Sequence, residues 1–179
     1  ASISESTIID DDSIDYRTEY SATIGNMKGF AFNNDGSKMY LSDGNQNTGN
    51  IVQVNLSTPY DPSSGTFEYN LDTKSSVGNV FTGDLAFDDD GTRLYLTKIH
   101  NNSTTSPAFI YVWKLRKPFE LSSATYVDKY SIDANGSNVS PYGWTFGNDG
   151  MKLYVSTEDA ISGVGDDLIF EFDLICPYG

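Results

Sequence analysis

The most chemically loaded stretch of this sequence is Asp88-Asp89-Asp90-Gly91, which places three carboxylates in one short segment. Oxygen-rich turns suit Ca²⁺, a hard cation that takes six to eight oxygen ligands. Asp88, Asp89 and Asp90 therefore form the candidate metal site, and Ca²⁺ is the one cofactor suggested, although nothing in the sequence requires it. Two related stretches, Asn33-Asn34-Asp35-Gly36 and Gly147-Asn148-Asp149-Gly150, keep the Asp-Gly step without the acidic run. Asp-Gly is also what a tight hairpin demands, because glycine reaches positive φ without a steric penalty. Turn chemistry thus explains what the three stretches share. Asp10-Asp11-Asp12 and Asp166-Asp167 lack the spacing of a calcium loop and read as solvated loops.

Other reactive groups are few. The chain has one histidine, His100, and one cysteine. His100 could act as a base or metal ligand, but no second histidine shares a metal with it, and it reads as a loop residue. Cys176 cannot pair within the chain; it is either a free thiol or half of a disulfide to a partner subunit or to another part of a longer chain. There is no Gly-x-Ser-x-Gly elbow, Cys–His pair or zinc spacing. Gly163-Val164-Gly165-Asp166 has no basic residue to support a phosphate. Glycosylation acceptors of the form N-x-Ser/Thr stand at Asn55, Asn101, Asn102, Asn135 and Asn138, and they matter if the protein is exported.

The elements that position these groups are set by repetition. Gly29 to Ser42, Asp84 to Thr97 and Gly143 to Ser156 are three copies of one unit, without gaps. Ile51 to Leu56, Ile110 to Leu115 and Ile169 to Leu174 form a second recurring block. Prolines 59, 118 and 177 follow these blocks at a period of 59 residues, each succeeded by Tyr or Phe. The Asp-Gly steps are 55 and then 59 residues apart, so the first repeat differs in loop lengths. A fixed period of this size signals a repeat architecture.

Within a repeat, Phe30/Phe32, Leu85/Phe87 and Trp144/Phe146 alternate with small or polar residues, the period of a half-buried strand. The Asp-Gly turn follows, then Met39-Tyr40-Leu41, Leu94-Tyr95-Leu96 or Leu153-Tyr154-Val155, short apolar runs suited to an inner strand. A variable loop leads to the Ile-x-x-x-x-Leu strand. A fourth alternating strand comes next, Thr66 to Leu71 or Thr125 to Ile132, with a counterpart in Ile14 to Tyr20. Four antiparallel strands per repeat is the blade of a β-propeller; a β-sandwich is the alternative. The expectation is one all-β propeller domain over 1–179, with repeats at approximately 1–59, 60–118 and 119–179. Trp113 and Trp144 fill repeat positions and read as core, with sugar stacking as the alternative role.

The Asp-Gly-x-x-x-Tyr-Val/Leu-Ser/Thr core followed by the Ile-x-x-x-x-Leu strand resembles the YVTN-type β-propeller repeats of microbial surface and secreted proteins. Tyr154-Val155-Ser156-Thr157 matches that signature best. The resemblance covers essentially the whole chain and implies fold more than function, since that superfamily holds binding modules, structural proteins and enzymes, among them lactone hydrolases and calcium-dependent phosphatases. Propellers close with about four to eight blades. Three blades imply a ring completed by further sequence, by a second chain, or replaced by an open stack.

Composition narrows the partners. Eleven Lys and Arg against 25 Asp and Glu give a net charge of −14. This excludes a phosphate-neutralising nucleic-acid surface and disfavours an anionic membrane. No apolar run approaches the roughly 20 residues of a spanning helix, so no membrane insertion is expected. The start, Ala1 to Glu5, lacks the basic and apolar regions of a signal peptide. Strong acidity with abundant Asn, Ser, Thr, Tyr and Gly suggests an extracellular or cell-surface protein. The loops Asp43 to Asn50, His100 to Pro107 and Glu158 to Asp167 are the longest and least alike, and loops carry function on rigid scaffolds. The sequence therefore reads as a non-catalytic propeller module for surface attachment, assembly or glycan or protein recognition at these loops. Two alternatives stand beside it: a propeller-fold hydrolase with carboxylate-bound Ca²⁺, and an architectural subunit of a surface layer or filament.

Overall fold

Alternating apolar residues on either side of each Asp-Gly step build antiparallel hairpins, as the period-two pattern requires. A computed structural model describes residues 26–44, 49–78, 81–99, 109–132, 141–147, 150–157 and 168–174. Sheet one contains β1 (Met27–Phe32), β2 (Lys38–Asp43), β3 (Asn50–Leu56) and β4 (Gly65–Asp72) in that order. A single helical turn, α1 (Lys74–Val77), leads to sheet two. That sheet orders β5 (Phe81–Phe87), β6 (Arg93–Ile99), β7 (Phe109–Leu115) and β8 (Ala124–Ser131). Sheet three places β10 (Lys152–Thr157) between β9 (Pro141–Gly147) and β11 (Leu168–Asp173). Every neighbouring pair is antiparallel.

The sheets follow one another in space. β1 lies against β5, and β5 against β9, so the first strands of successive repeats are adjacent. The sequence period cuts the sheets out of phase. Boundaries at 59/60 and 118/119 fall between β3 and β4 and between β7 and β8. Each four-stranded sheet thus takes its last strand from the start of the next repeat. Ile14 to Tyr20 lies outside the described residues.

The first two Asp-Gly turns explain the aromatic residues after Pro59 and Pro118. Gly36 and Gly91 hold φ of 70° and 71°, and a Cβ there would sit 2.4 Å and 2.3 Å from the rings of Tyr60 and Phe119. Glycine is needed twice over, for the backbone and for the ring seated on it. Tyr60 and Phe119 themselves adopt φ of 60° and 58°, a conformation that costs an ordinary residue on the order of 1–3 kcal/mol. Their amides hold the position by donating to the Gly36 and Gly91 carbonyls, each at 2.9 Å.

Apolar side chains from facing sheets close two joints. Between sheets one and two lie Tyr40, Ile51, Leu85, Leu94, Leu96, Tyr111, Trp113 and Leu115. Between sheets two and three lie Tyr95, Ile110, Val112, Trp144, Leu153 and Val155, with Phe146, Phe170 and Phe172 packed against them. Trp113 and Trp144 are both buried, which answers the core-or-sugar question in favour of core.

Candidate functional site

Each variable loop joins the second strand of a sheet to the third, so the described strand ends that flank it belong to the same end of each sheet. Most of the loop residues lie outside the described set, including His100, Asn101 and Asn102; so do Asn135, Asn138 and Cys176. The described part is the base of the loops. There the Ser/Thr that closes each Tyr-Leu/Val-Ser/Thr motif has a defined task. Ser42, Thr97 and Ser156 donate their hydroxyls to the carbonyls of Gly29, Asp84 and Gly143, at 3.5, 3.1 and 3.1 Å. Ser42 also donates to Gly83 on sheet two at 2.6 Å. The buried Thr82 and Thr73 hydroxyls donate to the carbonyls of Asp43 and Gly49, the two described ends of the first loop. The hydroxyls of Ser42, Thr73, Thr82 and Thr97 are buried and hold the strand ends beside the first two loops, while Ser156 at the third is exposed.

Asp84 is the residue the sequence reading passed over. It stands on β5 where repeats one and three have Gly29 and Gly143. A Cβ on Gly29 would lie 2.8 Å from the Asp84 Cα and 2.9 Å from its Oδ1. Glycine on β1 is therefore what makes room for a carboxylate on β5. Asp84 Oδ1 accepts from the Leu85 amide at 2.9 Å. Burial pushes its carboxyl above the ordinary range, against the opposing pull of the Leu85 bond. The available signal was the break in the repeat, Gly-Asp-Gly at equivalent positions.

In the Asp88–Asp90 turn, Asp88 and Asp90 spend their carboxylates on the turn itself. Buried Asp88 accepts from the Arg93 amide at 2.9 Å and from the Thr92 hydroxyl at 3.1 Å. Asn33 does the same work in repeat one, accepting from the Lys38 amide at 2.9 Å. Asp90 accepts from the Thr92 amide at 2.9 Å, as Asp35 does from Ser37. Hydrogen bonds from Thr92 and Ser37 hold Asp90 and Asp35 below the usual carboxylate range. Burial raises Asp88 instead. The described residues contain no group of three or more His, Cys, Asp or Glu placed to hold a metal ion. The turn brings three carboxylates together in sequence, and two of them, Asp88 and Asp90, bind different backbone amides in space.

Asn55 sits within a sheet. It pairs with Lys38 on β2 and Thr66 on β4, and its Nδ2, the atom a glycan would occupy, donates to Glu68 at 2.9 Å.

No protein-family model matches the chain, and no curated protein does. Solved structures do. A luciferin-regenerating enzyme is 14% identical, with a TM-score of 0.59 over 89% of this chain and 48% of that one. A protein from Lactobacillus plantarum is 13% identical (TM-score 0.47, 84% of this chain, 42% of that one). Sqt1 from Chaetomium thermophilum is 15% identical (TM-score 0.43, 74% and 28%). The chain thus spans less than half the length of each. At these identities the likeness speaks to fold alone: this is an all-β, propeller-type chain of antiparallel sheets. Because a similar structure is that of an enzyme, the fold does not by itself favour the non-catalytic expectation. Among the described residues no helix is long and apolar enough to cross a membrane.

Proposed function

We propose that this chain is part of an extracellular β-propeller that binds rather than catalyses, presenting a recognition surface for glycans or proteins at its loop end. The observation that supports this most is the division of labour along sheets one and two. Their Asp-Gly ends are locked by near-identical turns, while at the other end the buried hydroxyls of Ser42, Thr73, Thr82 and Thr97 tie down the strand ends beside dissimilar loops. Loops of varied Asn, Ser, Thr and Gly composition on such a platform offer many hydrogen-bonding groups in a fixed frame. A glycan-array screen of the full chain tests the reading. Binding that falls when residues 44–49 are replaced by Gly-Ser sequence supports it. An array without binders, together with no pull-down of a surface polysaccharide, counts against it.

A hydrolase reading draws on one observation of its own. Asp84 places a half-buried carboxylate with a raised pKa on an innermost strand, where a central channel would run. Ca²⁺-dependent thermal stabilisation and turnover of ester or lactone substrates, both lost in Asp84→Asn, would favour that alternative.

A further inference from the structure

Repeats one and two differ in how they use one acidic residue. Asp61 and Glu120 stand at equivalent places, each just before a short 3₁₀ turn, Pro62–Ser64 and Leu121–Ser123. Asp61 caps its own turn, accepting from the Ser63 amide at 3.0 Å and the Ser63 hydroxyl at 2.7 Å. Glu120 makes no such cap. Its longer side chain crosses to sheet one instead. There Lys38 on β2 donates to Oε1, and Gln53 on β3 donates through Nε2 to Oε2 at 3.2 Å. Gln53 is 0% exposed and uses its other end as well, its Oε1 accepting from the Leu121 amide at 2.8 Å. These bonds form a ring across the joint, closed by the peptide link between Glu120 and Leu121. In the next repeat the place of Gln53 is held by Val112, so the ring belongs to this joint and is not a property of the repeat.

We propose that Glu120, Gln53 and Lys38 form an acid-sensitive clasp: ionised Glu120 draws the Leu121–Ser123 turn onto sheet one, and a proton on Glu120 lets that turn lift away. The inference concerns the joint alone and is independent of what the loops bind. A carboxylate only accepts, which suits the two donors it meets, the Lys38 ammonium and the Gln53 amide. A proton taken from solvent puts a donor on one of those oxygens and removes the charge opposite Lys38, whose side chain is only 19% exposed. A charge so far buried is costly without its partner, so Lys38 turns to water. The bond between Gln53 and Leu121 then loses the neighbour that aligns it. Leu121, 1% exposed within the first joint, is the side chain uncovered.

The surroundings set the direction of the response. Burial works against ionised Glu120, but the bonds from Lys38 and Gln53, with the charges of Lys38 and Lys117, outweigh it and hold the carboxyl below the ordinary glutamate value. The clasp therefore adds stability above that ordinary value and loses it as pH falls through the lowered one. Tyr40 also acts on Glu120 from β2; burial, and after it the Glu120 charge, raise its hydroxyl, which stays protonated in acid. β4 packs against the same turn. It brings Tyr69 opposite Gln53 and carries Glu68, which accepts from Asn55 at 2.9 Å. Three further ties of this joint are neutral: Tyr40 donates to the Phe119 carbonyl at 2.7 Å, Ser42 to that of Gly83 at 2.6 Å, and Thr82 to that of Asp43. Acid thus opens one corner of the joint, at the Asp-Gly end where β2 begins, while the loop end stays tied.

Amide hydrogen exchange of the full chain, followed by NMR between about pH 6 and pH 3, tests the proposal. Protection of the Leu121 amide, taken relative to the amides of β6 and β7, should fall about three- to tenfold as Glu120 takes up its proton. Glu120→Gln should leave Leu121 at the low-pH level of protection at every pH. Lys38→Met is the second variant, informative even if Glu120→Gln fails to fold. It should raise the Glu120 pKa, read from the side-chain carboxyl resonance, because burial then acts without the opposing cation. Leu121 protection that holds steady down to pH 3, or that falls equally in Glu120→Gln, overturns the clasp. So does a Glu120 pKa untouched by Lys38→Met. Parallel loss at Leu121 and throughout β6 and β7 would show that acid unfolds the sheets as a whole, which overturns it too.

Discussion

Ile51 and Ile169 occupy one place in the repeat and live in opposite surroundings, one sealed in the joint between sheets one and two, the other open on sheet three. The same holds for Leu85 and Phe30 on the opposite faces. Repeat sequence thus fixes which face of a strand is apolar, while the burial of Ile51 and Leu85 comes from the sheets that face each other across the joint. A joint residue should be costly to truncate and an end-face residue nearly free in the isolated chain.

The largest effect is expected for Trp113→Ala, which empties the centre of the first joint. Chemical denaturation should show a loss of about 3–5 kcal/mol. Ile169→Ala, measured in dilute protein, should change stability by no more than about 0.5 kcal/mol. Equal losses at the two sites would erase the distinction between joint and end face. Next comes Gly91→Ala, which forces a Cβ into both a positive-φ backbone and the Phe119 ring. A loss on the order of 1–3 kcal/mol is expected, and a wild-type melting temperature would show that the ring does not sit on the turn. Tyr40→Phe removes one hydrogen bond across the joint and should cost about 1 kcal/mol. The burial that raises the Tyr40 hydroxyl far above the usual tyrosine value marks this as the deeper site. Tyr154→Phe, on the open face, should cost measurably less, and a reversal of that order would contradict the comparison.

The smallest effect depends on pH. Burial raises the Asp84 pKa above the ordinary aspartate value. Its ionised form is therefore disfavoured in the folded chain. That penalty is present above the folded pKa and fades as pH falls towards the unfolded value. Asp84→Asn should accordingly raise the melting temperature at pH 7 and leave it nearly unchanged at pH 3. A gain of equal size at both pH values would show that the carboxylate is not desolvated.

Much of the architecture was legible because it was written more than once. The strands around each Asp-Gly step, the turns themselves and the core positions of Trp113 and Trp144 follow from period-two alternation and repeat equivalence. Sheet boundaries were harder, since a period of 59 residues states the unit without its phase; only pairing shows that β4 completes sheet one. The site was the least legible part. Asp88, Asp89 and Asp90 drew attention by composition, yet two of them serve hydrogen bonds that Asn33 and Asp35 also make. Asp84 looked ordinary because its burial arises from the close approach of Gly29 on a neighbouring sheet, a contact across 55 residues of sequence that no local pattern records.

The most direct test of the central claim, that repeat-equivalent residues differ by the joint they sit in, is chemical denaturation of Ile51→Ala beside Ile169→Ala in the same chain. The account predicts a loss of about 2–5 kcal/mol at the sealed Ile51 and no more than about 0.5 kcal/mol at Ile169, which is 76% exposed. Equal losses at the two positions would contradict it.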